Sequence, residues 1–311
     1  MAQKAEKLKI PSGYEIYHSE YNEGDFFVEG LVPKNVVTII CGSSDAGKSH
    51  FTRSLALDVV SGKETFLGQK LHTTTKKVLF VSTEDPDARW NKILHQNGLT
   101  PDEVEGIKNL DLVFDDFKRS FEQCAQTKYD LVIIDTFGDM FQGDINNSID
   151  VRRFMSMYKG YARKNGAAVI IVHHISKKAE QIGVASKNNL LGSQAIESSA
   201  RCVLELKLDT STPGSNVRTL HILKCNMLDG LTKSKPITVV LTDKLRYELI
   251  RQKFCTKGQD NDPKMPLEQR VWELNREGNS IRSIVTILKD EGYEKAGRSK
   301  IADMIKSQKA E

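Results

Sequence analysis

Residues 36–50 read VVTIICGSSDAGKSH, and no other stretch restricts the fold as strongly. A β-branched run, Val36 to Ile40, enters the octet Gly42-Ser43-Ser44-Asp45-Ala46-Gly47-Lys48-Ser49. The octet matches G-x-x-x-x-G-K-[ST], the pattern of a phosphate-binding loop. Beyond it, Phe51, Leu55, Ala56, Val59 and Val60 fall at the spacing of one helix face. A buried strand must therefore end abruptly and turn into a helix. Gly42 and Gly47 permit the turns and let bare backbone approach an anion. The first N–H groups of the helix then face that anion, aided by the helix dipole. Lys48 is expected to reach the outer phosphates, and the Ser49 hydroxyl to take one Mg²⁺ position. The nucleotide-binding set is Gly42, Ser43, Ser44, Asp45, Ala46, Gly47, Lys48, Ser49 and His50, with ATP and Mg²⁺ as cofactors. Asp45 is discordant, since a carboxylate repels phosphate; its side chain is expected to point to water.

The chain has 311 residues, 39% hydrophobic and 28% charged, enough for one large core and a small second domain. Met1–Lys9 is polar and lysine-rich with no apolar run behind it, unlike a signal peptide. No apolar stretch has the length of a bilayer span. Cys41, Cys124, Cys202, Cys225 and Cys255 are scattered without metal spacing. Reduced thiols and a cytoplasmic location are expected. Net charge is +4, and residues 251–311 hold 13 Lys/Arg against 10 Asp/Glu, so most of the excess lies there. That is a mild pointer to nucleic acid.

In chain order, Met1–Gly30 has scattered aromatics and no period, and reads as an N-terminal arm. Lys77–Ser82 is a strand ending at Thr83-Glu84-Asp85-Pro86, which puts a carboxylate at the carboxyl edge of a parallel sheet, where ligands bind. Helix Asp87–Gln96, strand Leu110–Phe114 and helix Phe117–Gln126 follow. Leu131–Asp135 (LVIID) is a buried strand ending in the second Mg²⁺-supporting candidate, Asp135. Ser148–Asn165 reads as a long helix and Ala168–Val172 as a buried strand ending in His173-His174. Ile175–Leu191 is polar and too long for an ordinary connection. A short helix, Ala195–Ala200, precedes strands Arg201–Lys207, Arg218–Cys225 and Ile237–Leu241, with a turn expected at Asp229-Gly230. Strand–helix alternation gives a parallel α/β core; the late strands, without helices between them, give it an antiparallel edge.

Arg251–Pro266 is a polar linker. Three helical patterns follow, Leu267–Glu277, Ile281–Glu291 and Ser299–Ser307, with Ser280 a plausible N-cap. This is the layout of a helix-turn-helix, with Ala296–Lys306 as recognition helix and Arg298 and Lys300 as DNA contacts. A small bundle that docks protein or caps an oligomer fits the same pattern.

Taken in order, GSSDAGKS, VLFVSTEDP, LVIIDTFGDMFQGD, VIIVHHISK, LLGSQAIESSARCVLEL and LHILKCN resemble the RecA-like ATPases. Within them the resemblance is to the branch containing plasmid RepA-type hexameric replicative helicases. It covers Val28 to Leu241. It implies an α/β RecA-like core with a mostly parallel sheet over residues 31–250. The arm 1–30, the linker 251–266 and the all-helical, helix-turn-helix-like tail 267–311 lie outside that core. It implies that Glu84 is the general base, with Asp85 able to substitute; the bland alternative is a helix N-terminal carboxylate. It implies that His174 senses the γ-phosphate, although paired histidines on a strand end can be structural. Ser176–Asn189 falls where relatives carry a DNA loop lining a central channel, with Lys177, Lys178 and Lys187 as phosphate contacts. Asp139–Asn147 matches the other channel loop in position only, being acidic. Arg201 and Lys224, with Arg218 as a further candidate, lie where the family supplies cations to the neighbouring subunit's nucleotide. The resemblance thus implies a homo-oligomer, a hexamer, that threads single-stranded DNA; duplex contact through the tail rests on the helix-turn-helix layout instead. A non-motor ATPase that loads, regulates or recombines DNA shares every one of these motifs. A small-molecule kinase is disfavoured by Glu84, the trans cations and the tail.

Overall fold

A computed structural model describes residues 11–18, 26–114, 127–176, 179–180, 184–192, 194–209, 214–250, 267–276, 280–290, 293 and 297–308. The helix expected at Phe117–Gln126 lies outside the described residues, as do Lys177 and Lys178. The chain forms two units, Met1–Ile250 and Arg251–Glu311.

The first unit is built on a nine-stranded sheet. In chain order its strands are β1 (Val37–Gly42), β2 (Val78–Ser82), β3 (Leu110–Val113), β4 (Leu131–Asp135), β5 (Ala168–His174), β6 (Cys202–Leu208), β7 (Val217–Cys225), β8 (Ile237–Leu241) and β9 (Tyr247–Leu249). Their order across the sheet is β9-β8-β7-β6-β1-β5-β4-β2-β3. From β6 to β3 every pairing is parallel; β6–β7, β7–β8 and β8–β9 are antiparallel. The expected mixed sheet is therefore present. β1 sits at its centre, with β6 on one side and β5 on the other. The chain leaves β1 in one direction and returns beside it from the other, so the crevice at its carboxyl end is a topological switch point.

Two apolar clusters, one on each sheet face, explain why β1, β2, β4 and β5 read as unbroken apolar runs. On one face Ile40, Phe80 and Ile133 meet Phe51 and Leu55 of helix α1 (Lys48–Val60) and Trp90 of helix α2 (Asp87–Gln96). On the other, Ile39, Val81 and Ile134 meet Val151, Met155 and Tyr158 of helix α3 (Ser148–Asn165), with Ile196 of helix α4 (Gln194–Ser199).

Helix α1 departs from the one-faced reading. Thr52, Arg53, Ser54 and Asp58 are buried along with its apolar residues. The β8–β9 edge covers that second face: Ser54 Oγ accepts the Tyr247 N–H at 2.9 Å, and Arg246 pairs with Asp58. At the N-terminal side, Phe26, Phe27 and Val28 pack into the core. They are fixed by bonds from the His72 N–H to the Phe27 carbonyl and from the Glu29 N–H to Lys70. Asp229-Gly230 is not a tight turn. Asp229 caps a short helix, Gly230–Lys233, its carboxylate accepting the Thr232 N–H. Among the described residues no helix is long and apolar enough to cross a membrane.

The second unit contains helices α5 (Leu267–Arg276), α6 (Ile281–Asp290) and α7 (Arg298–Gln308), each touching the other two. Their shared core is Val271, Leu274, Ile284, Leu288, Ile301 and Ile305. Ser280 caps α6, its hydroxyl accepting the Ser283 N–H. Arg298 and Lys300 are exposed in the first turn of α7.

Candidate active site

The phosphate loop opens at the carboxyl end of β1. Its shape depends on two glycines. A Cβ on Gly42 would stand 2.4 Å from the Leu206 carbonyl oxygen. Gly47 has φ of +87°, and a Cβ there would stand 2.3 Å from Tyr247 Oη. Two residues from far along the chain support the loop from beneath. Arg218 Nε donates to the Ala46 carbonyl at 3.3 Å, and Tyr247 Oη donates to the Ala46 and Gly47 carbonyls, each at 3.3 Å. Arg218 is buried at 7% exposure. Its guanidinium holds the loop of its own chain and lines the cavity over it. Gly47→Ala should therefore lose about 1–3 kcal/mol, from left-handed backbone strain and the clash with Tyr247. Adding Tyr247→Phe should recover part of that loss. Thermal melts and titration with a fluorescent ATP analogue check both; an unchanged single variant would contradict the contact.

A cavity of about 340 Å³ lies over the loop. Ser44, Asp45, Gly47, Lys48, Ser49 and His50 line it from below, and Glu84, Asp85, Thr136 and His174 from the neighbouring strand ends. Ala46 faces the core, so only its backbone serves the loop. Lys48 is buried, its ammonium donating to the carbonyls of Gly42 at 3.1 Å and Ser43 at 2.6 Å. Burial lowers its pKa, while Asp135 and Glu84 oppose the shift. Asp45 is exposed at the cavity rim. Burial also pushes His50 down to about 4, with Arg53 beside it adding to the shift, so the imidazole is neutral.

Asp135 ends β4 at 3% exposure. Burial raises its carboxyl to about 6, against the pull of Arg53 and a hydrogen bond from Ser49. Its Oδ1 atom is buried with no hydrogen-bond partner. An orphaned carboxylate oxygen beside the Ser49 hydroxyl suits Mg²⁺, which takes one or two protein oxygens and completes its shell with phosphate and water. Among the described residues no group of three or more His, Cys, Asp and Glu forms a metal cage.

The segment after β2 is fixed by a small polar network. The Thr83 N–H and Oγ1 donate to the Asp135 carbonyl at 2.8 and 2.9 Å, and the Thr136 N–H donates to Thr83 Oγ1 at 2.8 Å. Asp139 lies 2.7 Å from Thr83 Oγ1 and 3.2 Å from Thr136 Oγ1. The acidity of the Asp139–Asn147 segment thus has a structural use. Asp139 braces the two strand ends, and Asn147 caps α3.

Glu84 follows Thr83 and is more than half exposed, its Oε1 3.8 Å from His174 Nε2. Asp85, the expected substitute for it, is committed elsewhere. It pairs with the buried Arg53 and lies 4.0 Å from Arg89 Nε. Arg53 also lies over the Trp90 ring at 5.1 Å. Nothing in the sequence marks Arg53, which lies between Thr52 and Ser54 on the second buried face of α1.

The two histidines differ. His173 is buried, its Nε2–H donating to the Leu191 carbonyl at 2.8 Å, and burial pushes it down to about 4. His174 lines the cavity, and burial, with Lys48 nearby, lowers it.

Arg201 and Lys224 lie apart from the cavity, at the amino end of β6. The Arg201 N–H bonds the Val37 carbonyl, and Lys224 pairs across the strands with Val203. Lys224 Nζ is held by Glu197 at 2.8 Å, whereas the Arg201 side chain is exposed. Lys187 is exposed in a short turn, Lys187–Asn189, of the 175–191 connection.

The strand order, the loop and the cavity at the switch point define a phosphate-loop ATPase of the RecA-like class. A family model described as AAA domain matches residues 20–180, and the chain belongs to that family. Among solved structures it is similar to one described as an ATPase domain, with a TM-score of 0.58 and 14% identity, over 76% of this chain and 95% of that one. At that identity the likeness is one of fold. No curated protein is similar to it in sequence.

Proposed function

We propose that the protein is a Mg²⁺-dependent ATPase acting on DNA, an oligomeric RepA-like replicative helicase or translocase of a plasmid, phage or mobile element. The observation that carries this reading is the convergence of Lys48, Ser49, Glu84 and His174 on one cavity at the carboxyl edge of the sheet, with the Asp135 carboxylate hydrogen-bonded by Ser49. Lys48 and the loop N–H groups bind the triphosphate. Ser49 and Asp135 hold Mg²⁺, whose charge offsets that of the phosphates. Glu84 takes the proton of the attacking water. His174, within reach of Glu84, senses the γ-phosphate.

Arg201, exposed and remote from its own cavity, serves a neighbouring subunit's nucleotide, with Lys224 beside it. That arrangement requires an oligomer, and a hexameric ring is the form proposed. Lys187 contacts single-stranded DNA in the central channel, together with Lys177 and Lys178, which lie outside the described residues. Arg298 and Lys300 contact duplex through the helix-turn-helix-like tail. The protein acts in the cytoplasm.

One observation favours a second reading, a non-motor DNA-associated ATPase. The Asp139–Asn147 segment turns its carboxylate onto Thr83 and Thr136 and offers no cation to a channel. ATP hydrolysis by purified protein with and without single-stranded DNA separates the two. A motor should be stimulated at least about tenfold, the scale of a coupling of 1–3 kcal/mol. Hydrolysis indifferent to DNA would sink the motor reading and leave the assembly switch.

A further inference from the structure

We propose that Glu205 is a positioning residue whose carboxylate latches residues 184–190 onto the sheet, so that nucleotide in the cavity is transmitted to that segment. Glu205 lies in β6, in parallel register with Cys41 of β1, immediately before the phosphate loop. It is buried at 1% exposure. Its Oε2 accepts the Ser186 N–H at 3.1 Å, and the Asn189 amide, which donates to the Val184 carbonyl at 2.7 Å, also interacts with the carboxylate. Burial raises the carboxyl above its ordinary value, against the pull of Ser186, Lys207 and Asn189.

A buried carboxylate is a costly way to fill a strand position, since an apolar side chain there would need no hydrogen bonds. What the carboxylate adds is a fixed grip on an otherwise polar connection. The rest of that connection is tied to the carboxyl ends of β1 and β5. The Ile175 N–H bonds the Gly42 carbonyl at 3.4 Å, the carbonyl that also accepts Lys48. The Ser176 N–H bonds Asn189 at 2.9 Å, and the Leu191 N–H bonds the His174 carbonyl at 3.1 Å. Ile175 and Leu190 form a bridge. The connection therefore leaves and rejoins the sheet beside the phosphate loop and the cavity-lining His174. Glu205 is its third anchor, within the connection rather than at its ends. With that anchor, a shift at Gly42 or His174 moves 184–190 as a body. Without it, only the ends respond.

The test is hydrogen–deuterium exchange of the full chain with and without adenylyl imidodiphosphate and Mg²⁺. It rests on nucleotide binding in the cavity, and measured analogue affinity keeps the two questions separate. In the wild type, the analogue should change exchange over 184–191 by roughly fivefold or more. Glu205→Ala should lose that change while analogue affinity stays within about twofold. Glu205→Gln, whose amide oxygen still accepts the Ser186 N–H, should keep it. Should Glu205→Ala not fold, Asn189→Ala removes one donor from outside the sheet and should weaken the change. The latch is overturned if the wild type binds the analogue with no change at 184–191. It is also overturned if Glu205→Ala, or Asn189→Ala in its place, keeps the full change. A wild type that does not bind the analogue overturns the nucleotide reading itself.

Discussion

Glu84→Gln should lower the turnover number for ATP hydrolysis about 10²–10⁴-fold, the usual contribution of a positioned general base. Three carboxylates line the cavity, Asp45, Glu84 and Asp85. Asp85 is bound to Arg53, and Asp45 stands exposed on the phosphate loop itself. Glu84 alone stands on the strand end opposite the loop, with His174 as its neighbour at 3.8 Å. The amide keeps the shape of the side chain and cannot take a proton. It also removes a negative charge that lies close enough to influence both Lys48 and Asp135. Nucleotide affinity should therefore hold or tighten while hydrolysis fails. Steady-state hydrolysis and a fluorescent-nucleotide titration of the same preparation give the two numbers. Retained turnover would remove Glu84 from the chemistry; lost binding would make it a structural residue.

The parts of that prediction are legible in the sequence because they are local. The phosphate loop is eight consecutive residues, and LVIID and KVLFVS are apolar runs that end at the sheet edge. What holds the loop in shape is not local. Arg218 and Tyr247 reach Ala46 from 172 and 201 residues away. Nothing in the spacing of either residue marks it as a support, and by position Arg218 reads as a cation for a neighbour. The same holds for α1. Its apolar stripe is legible, but its second buried face exists only because the β8–β9 edge closes over it.

Charge is the property a sequence reports least well, because sign is visible and partner is not. Asp139 reads as a poor DNA contact and is a brace between two strand ends. Lys224 and Arg201 read alike, yet Glu197 holds one and leaves the other exposed. The 175–191 connection reads as a polar loop of unusual length. Its anchoring is visible only through Glu205, a lone acid inside the strand sequence CVLEL. A charged residue in an apolar run is the available signal there; Arg53, between Thr52 and Ser54, carries no such mark.

Asp85→Ala should act on stability where Glu84→Gln acts on rate, although the two residues are adjacent. Arg53 has a side chain 5% exposed and pairs with Asp85, which is itself 29% exposed. Removing the carboxylate leaves a buried guanidinium at the cavity wall, with the Trp90 face and the Asp135 carboxylate near it and its Nε still without a hydrogen bond. Breaking a buried pair from one side costs about 3–5 kcal/mol, and solvent access at the Asp85 end puts this case near 3. For a unit of this size that is a fall in melting temperature of roughly 6–12 °C. Replacing Arg53 by Met as well removes the stranded charge and should restore much of the loss, giving a coupling energy of about 1–3 kcal/mol in the double-mutant cycle. Thermal melts of the two single variants, the double variant and Glu84→Gln make the comparison. If Asp85→Ala melts like the wild type, the Arg53–Asp85 pair carries no stability. If it melts normally and loses hydrolysis, Asp85 rather than Glu84 is the base.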